Sequence, residues 1–227
     1  MKPMKNTLIA APVSTLLDSL FAKADLTDGP IQAELAKLSP EARDKFMAGA
    51  KTDYRAFYGN ARELFLPVSA ETGKLLYMLA RSSNARSIVE YGTSFGISTI
   101  HLAAAVKDNG GGNVIGSELE PGKIARAREN LAAAGLSELV EIREGDALET
   151  LANNLPKQID LVLLDGAKSL YAKILSLLEP HLKTGALIIS DNADDCPEFI
   201  ERIRDTKSGY FSVPFADDVE LSVFVGR

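Results

Sequence analysis

Two short acidic motifs in the second half of the chain have the composition of a site for a hard cation. Asp165-Gly166-Ala167-Lys168 and Asp191-Asn192 each follow a continuous apolar run, Leu161-Val162-Leu163-Leu164 and Ala186-Leu187-Ile188-Ile189. Runs of that kind suit strands covered on both faces, and neighbouring parallel strands lie about 4.8 Å apart. Asp165, Asp191 and Asn192 would then offer three oxygens to Mg²⁺ or another divalent ion and leave positions for water and substrate. Lys168 reads as a residue of the first turn of the following helix, where a cation opposes the helix dipole. A metal and the dipole would both favour the neutral amine, which makes Lys168 a candidate general base. The plainer alternative is that one acid caps a helix and the other pairs with a lysine three residues away.

A second group of residues has the types needed to hold a nucleoside. Glu90-Tyr91-Gly92-Thr93-Ser94-Phe95-Gly96-Ile97-Ser98 places two glycines between a strand and a helix, where backbone can approach a ligand and the helix offers unpaired N–H groups. It is neither the dinucleotide fingerprint nor a P-loop. Glu118 ends the next β-rich run and could accept two hydrogen bonds from a ribose diol, and Asp146, after Gly145, could read an adenine amino group. Each also has an ordinary reading: a strand-to-helix turn, a solvated acid at a helix start, a helix cap. Gly92-Thr93-Ser94-Phe95-Gly96 further spells the nucleophile elbow of hydrolases. The chain has two histidines. His101 lies within the helix just after Ser94, and His181 precedes the fifth strand, roughly 15–20 Å away across the sheet. Neither can complete a triad, so the hydrolase reading is set aside.

The elements that must position these residues follow from hydrophobic periodicity. Up to about Ser83 the pattern is helical, with segments at Ile31 to Leu38, Glu41 to Tyr58 and Ala70 to Arg81, and with Ser39-Pro40 and Ser69 as caps. From Arg86, β-rich and helical runs alternate, which predicts an α/β, doubly wound, mostly parallel sheet. Tyr210 to Val213 and Val219 to Val225 predict an antiparallel C-terminal edge. Residues 1–83 are read as a helical cap belonging to the same domain as a core at residues 84–227. A net charge of −6 argues against a nucleic-acid partner. The lone Cys196 excludes an intrachain disulfide. The start, Met1-Lys2-Pro3-Met4-Lys5 and the short apolar run after it, is read as part of the fold rather than a signal peptide, and no stretch approaches a membrane span. A cytoplasmic protein is expected.

Taken together, E-x-G-x-x-x-G after the first strand, Glu118 after the second and Gly145-Asp146-Ala147 after the third resemble the class I S-adenosylmethionine-dependent methyltransferases. Glu90, Glu118 and Asp146 also suit a cationic sulfonium better than a polyphosphate. Asp-x-x-Lys after the fourth strand with Asp-Asn after the fifth is similar to the cation-dependent O-methyltransferases of the catechol and caffeoyl-CoA type, bacterial members in particular. The resemblance implies S-adenosyl-L-methionine held by Glu90, Gly92, Ser94, Gly96, Ser98, Glu118, Asp146 and Asp165. It implies a divalent ion on Asp165, Asp191 and Asn192, Lys168 as base assisted by Asp165, and a small hydroxylated, catechol-like acceptor in a homodimeric enzyme. A metal-independent methyltransferase of the same fold is the alternative. One departure stands out: the catechol enzymes place bulky residues where this chain has Gly166-Ala167, so the walls of the acceptor site do not carry over.

Overall fold

The computed structural model describes residues 6–215 and 218–226; Met1–Lys5, Ala216, Asp217 and Arg227 lie outside the described residues. Strands β1 (Ser87–Tyr91), β2 (Asn113–Glu118), β3 (Val140–Glu144), β4 (Ile159–Leu164), β5 (Leu182–Ser190), β6 (Tyr210–Phe215) and β7 (Val219–Phe224) form one sheet in the order β3-β2-β1-β4-β5-β7-β6. The first five are parallel, and β7 runs antiparallel between β5 and β6. The expected C-terminal hairpin is therefore present, with β6 as the outermost strand. Strand order reverses between β1 and β4, which is where a doubly wound sheet opens a crevice.

Helices α5 (Ile97–Asp108), α6 (Pro121–Ala133), α7 (Ala147–Thr150), α8 (Tyr171–Leu178) and α9 (Pro197–Arg204) connect the strands. Before them come α1 (Val13–Leu35), α2 (Pro40–Thr52), α3 (Tyr54–Asn60) and α4 (Ala70–Ser82). The N-terminal periodicity resolves differently from the expected segments. One long α1 runs through Pro30 and absorbs the segment expected to start at Ile31, while the segment expected from Glu41 to Tyr58 breaks at Asp53. Asp53 leaves helical geometry at φ −143° and its side chain caps α3 by accepting from Ala56 N at 3.0 Å. Ser39 and Ser69 cap α2 and α4 as their types predict.

Both faces of the sheet are covered. On one, Val13, Leu17, Leu20 and Ala24 of α1 and Leu76 of α4 join Ile100 and Ala104 of α5 over Ile88, Val114 and Leu161. On the other, Tyr171, Ile174 and Leu178 of α8 and Phe199 of α9 pack on Val89, Val162 and Ile188. Among the described residues, no helix is long and apolar enough to cross a membrane.

A buried carboxylate ties α1 to the loop in front of α4. Asp28, 2% exposed, accepts from Phe65 N at 3.0 Å and Leu66 N at 2.7 Å. Those two amides have no turn or ladder of their own to satisfy them, so Asp28→Ala should lower unfolding free energy by about 3 kcal/mol. Asp28→Asn, which keeps one acceptor oxygen, should lose less. Urea denaturation of the three proteins measures this; equal midpoints would show that the loop holds without the carboxylate.

Candidate active site

Backbone pairing at the sheet's reversal point brings the acidic motifs together. Asp165 N donates to Tyr91 O at 2.8 Å and Asp191 N to Leu164 O at 2.9 Å, so the tips of β1, β4 and β5 leave the sheet side by side. The β1 and β4 loops touch. Gly92 has φ +100°, and a Cβ there would strike the Asp165 carbonyl; a Cβ at Gly166 would enter the Tyr91 ring. The Tyr91 hydroxyl in turn accepts from Ala167 N at 3.0 Å. Tyr91 thus fills the space beside the small Gly166-Ala167 pair.

Over the tips of β1 to β4 lies a cavity of about 310 Å³ lined by Gly92, Ser94, Glu118, Lys123, Asp146 and Asp165, among others. Glu118 is held by three backbone amides, Ser94 N at 2.7 Å, Leu119 N at 2.8 Å and Glu120 N at 2.9 Å, which leaves acceptor capacity toward the cavity. Asp146 caps α7 through Leu148 N at 2.9 Å. Its other oxygen is engaged by the Tyr54 hydroxyl and by Arg55 Nε at 3.0 Å, from α3. Asp146 is thus a helix cap, as its plainer reading had it, and it lines the cavity with both oxygens engaged by protein donors. Ser94 sits at φ +46° and donates to Phe65 O at 2.7 Å. Neither histidine meets it: His101 Nδ1 pairs with Ile97 O and His181 Nδ1 with Pro156 O.

Three of the expected cofactor residues are placed elsewhere. Glu90 is fully buried, and its carboxylate accepts from the hydroxyls of Thr93 at 3.1 Å, Ser98 at 2.7 Å and Thr99 at 2.5 Å. Glu90 and Ser98 thus hold each other beneath the loop, and neither lines the cavity. Gly96 caps α5 at φ +84° and faces Ala127, also away from the cavity. Their types suited a ligand, but strand alternation turns Glu90 inward, where hydroxyls from the next helix satisfy it.

A second, larger cavity of about 890 Å³ adjoins the first and is lined at its reactive end by Asp165, Lys168, Asp191 and Asn192. Lys168 Nζ donates to Asp165 Oδ1 at 3.0 Å and to the Tyr171 hydroxyl at 2.8 Å. That hydroxyl shares its proton with the carbonyls of Leu164 and Asp191, both at 2.8 Å. Lys168 opens a 3-10 turn ahead of α8 rather than the first turn of an α-helix, which removes the expected opposition to a helix dipole. Burial, with the neighbouring Asp165 charge, raises the Asp191 carboxyl to about 7; burial also raises Asp165, against the pull of Lys168. Asn192, at φ 48°, donates to Asp218 Oδ2 at 3.0 Å.

Among the described residues no three Asp, Glu, His or Cys side chains gather as a metal site. The set here is two carboxylates and one carboxamide, all-oxygen donors that suit a hard divalent ion, and the raised Asp191 reports a carboxylate pair that a cation would relieve. Sequence reading missed Tyr54, Arg55, Lys123, Tyr171 and Asp218. Only folding brings Tyr54, Arg55, Lys123 and Asp218 to the cavities and the buried Tyr171 up behind Lys168, and none stands at a strand tip where a ligand contact is expected.

Residues 89–193 match a family model described as a methyltransferase domain. The match begins in β1, takes in both acidic motifs, and leaves the N-terminal helices outside. Over 130 residues the chain is 34% identical to a catechol O-methyltransferase of Niastella koreensis, covering 56% of this chain and 58% of that protein. Over 127 residues it is 36% identical to a catechol O-methyltransferase of Mycobacterium tuberculosis, covering 56% and 57%. The matched region thus spans less than three fifths of these relatives. The methyltransferase fold superposes with a TM-score of 0.64 on the O-methyltransferase TomG from Streptomyces achromogenes, solved in complex with SAM, at 28% identity over 80% of this chain and 90% of that one.

Burial raises the Glu90 carboxyl to about 7, against the pull of its three hydroxyl donors. The folded state therefore holds a proton more tightly than the unfolded chain. Stability contributed by that proton is full below the unfolded carboxylate value and is lost as pH rises through about 7. Glu90→Gln should remove roughly 3 kcal/mol of this fall. Urea unfolding of both proteins across this range measures it; parallel pH profiles would contradict the assignment.

Proposed function

We propose that the chain is an S-adenosylmethionine-dependent O-methyltransferase that methylates a hydroxyl of a small, catechol-like molecule with the help of a divalent ion. One observation carries this reading: the two cavities share Tyr58, Leu66, Asp165 and Gly166, so a donor in one and an acceptor in the other would meet at the β4 tip.

In the smaller cavity, Glu118 has acceptor capacity for a ribose diol, Gly92 lets the main chain close on the ligand, and Lys123 offers a cation to a carboxylate. Asp165, Asp191 and Asn192 would hold the divalent ion. When bound, S-adenosylmethionine supplies a methyl group already activated on a sulfonium, and the ion favours the ionised form of a coordinated hydroxyl. Lys168 Nζ, in its neutral amine form and oriented by the Tyr171 hydroxyl, would accept the acceptor's proton and become the ammonium that pairs with Asp165. Transfer of the methyl group to the freed oxygen would leave the donor as a neutral thioether, so no covalent bond to the protein is required. Tyr58 and Leu66, at the junction, exclude water from that line. Alignment and deprotonation are all that such an activated donor demands.

The metal-independent alternative draws on one feature, the Lys168–Asp165 pair at 3.0 Å, which compensates Asp165 by itself. Turnover measured before and after EDTA treatment separates the two. The homodimer belongs to the same proposal; exposed Phe211 and Val213 on β6 are apolar surface that a second copy would cover.

Glu118→Ala should weaken S-adenosylmethionine binding by about 2–3 kcal/mol in a calorimetric titration, as expected for two lost charge-assisted bonds. Unchanged affinity would remove Glu118 from the cofactor site. Lys168→Met should reduce turnover of a catechol roughly a hundredfold or more with cofactor affinity nearly intact. A variant as active as the parent would leave the base unassigned, and loss of cofactor binding would show that Lys168 acts on structure instead.

A further inference from the structure

The acceptor cavity is built for something larger than one ring. It measures about 890 Å³, whereas a cavity of roughly 150 Å³ can hold benzene. Its far wall comes from the N-terminal helices: Phe21, Ile31 and Leu35 of α1, Phe46 of α2, and Phe57 of α3. Phe46 and Phe57 meet edge to face at 5.4 Å between ring centroids. Ile31 and Phe46 remain 43% and 46% exposed, apolar area left open along the cavity's mouth.

Charge on this lining is one-sided. Beyond the reactive end it adds Asp25, Asp28, Asp195 and Asp218, and Lys168 is the only cation among the described lining residues. Asp28 is spent on the Phe65 and Leu66 amides, but Asp25 is exposed and makes no hydrogen bond or ion pair among the described residues. The neighbouring cofactor cavity, by contrast, includes Arg55, Arg62 and Lys123. Among the described lining residues, an acceptor ending in a carboxylate or polyphosphate would meet acids and, beyond Lys168 at the reactive end, no counter-ion, while an apolar body would find an aromatic wall.

We propose, on the basis of the O-methyltransferase reading, that the acceptor is an extended apolar catechol, multi-ring or long-tailed, whose distal end is uncharged or cationic, and that anionic conjugates such as coenzyme A thioesters are excluded. The tail lies against Phe46 and Phe57, and Asp25 selects its charge.

The test uses the full chain saturated with S-adenosylhomocysteine, so that binding is read apart from turnover. Catechol itself, 4-alkylcatechols ending in a hydroxyl, an amine or a carboxylate, and a catecholic coenzyme A thioester are titrated calorimetrically. The hydroxyl- and amine-ended compounds should bind at least about tenfold more tightly than catechol, as burial of several methylenes predicts. The carboxylate and the thioester should bind about fivefold or more weakly than the amine. Phe57→Ala should shrink the gain from the tail, and the isosteric Asp25→Asn should narrow the amine-to-carboxylate ratio. A carboxylate or thioester binding as tightly as the amine, or a tail that adds nothing, overturns the proposal. The same panel assayed with S-adenosylmethionine distinguishes the two readings. Binding in the expected order without methylation keeps the acceptor class and removes the reaction, whereas methylation of every compound at equal kcat/KM keeps the reaction and removes the acceptor class.

Discussion

Where β1 and β4 lie side by side, the chain leaves both strands at the same level, and the two exit loops are pressed together until neither tolerates a side chain at the contact. Gly92 abuts the Asp165 carbonyl and Gly166 abuts the Tyr91 ring. This contact fixes the rest of the site. It sets Asp165 on the boundary of both cavities, and, through the Asp191 N to Leu164 O bond, it sets Asp191 one strand further along. A side chain at either glycine would separate the loops and move the two halves of the site apart. For the proposed methyl transfer, which depends on alignment of three atoms, such a shift would matter more than the loss of any one polar contact.

The same crowding concentrates negative charge. Glu90, Asp165 and Asp191 are all buried near the tips of three adjacent strands, and burial pushes each carboxyl upward. The protein answers in two ways. Glu90 is surrounded by hydroxyl donors and kept out of the cavities, where it holds the loop between β1 and α5. Asp165 is instead paired with Lys168, which Tyr171 holds from the other side. Asp191, which lines a cavity, has no ion pair among the described residues, an electrostatic circumstance that a bound divalent ion would suit.

Much of this was legible from residue order because a parallel sheet sends its functional residues to one end of its strands. Glu118, Asp146, Asp165 and Asp191 could be placed from the apolar runs before them, and each reaches a cavity. The failures have a common cause. Glu90, Ser98 and Gly96 were read by type and proximity, but side-chain direction decides between ligand and support, and the inward-facing Glu90 can be told from a ligand only once α5 is packed against it. Lys168 was placed in an α-helix because the apolar spacing of α8 extends back to it, whereas the chain first takes a tight 3-10 turn. The break at Asp53 comes from a local cap, its side chain accepting from Ala56 N, which apolar periodicity does not register.

The N-terminal helices explain why the small Gly166-Ala167 pair does not leave the site open. In this chain the position beside the reactive end is filled from the opposite direction, by Tyr91 from β1, and the outer wall is supplied by α1, α2 and α3. Residues 89–193, which match the methyltransferase model, contain the strand tips and hence the chemistry. The walls of the larger cavity come mostly from outside that segment, from Phe21 to Thr72. Under the proposed function, donor recognition and bond-making would fall to the sheet, whose tight β1–β4 contact leaves little room for change. Acceptor size and charge would fall to the N-terminal helices that line the larger cavity and are tied down by contacts such as that of Asp28. For the same reason, similarity confined to the sheet informs on the reaction far better than on the molecule that is methylated.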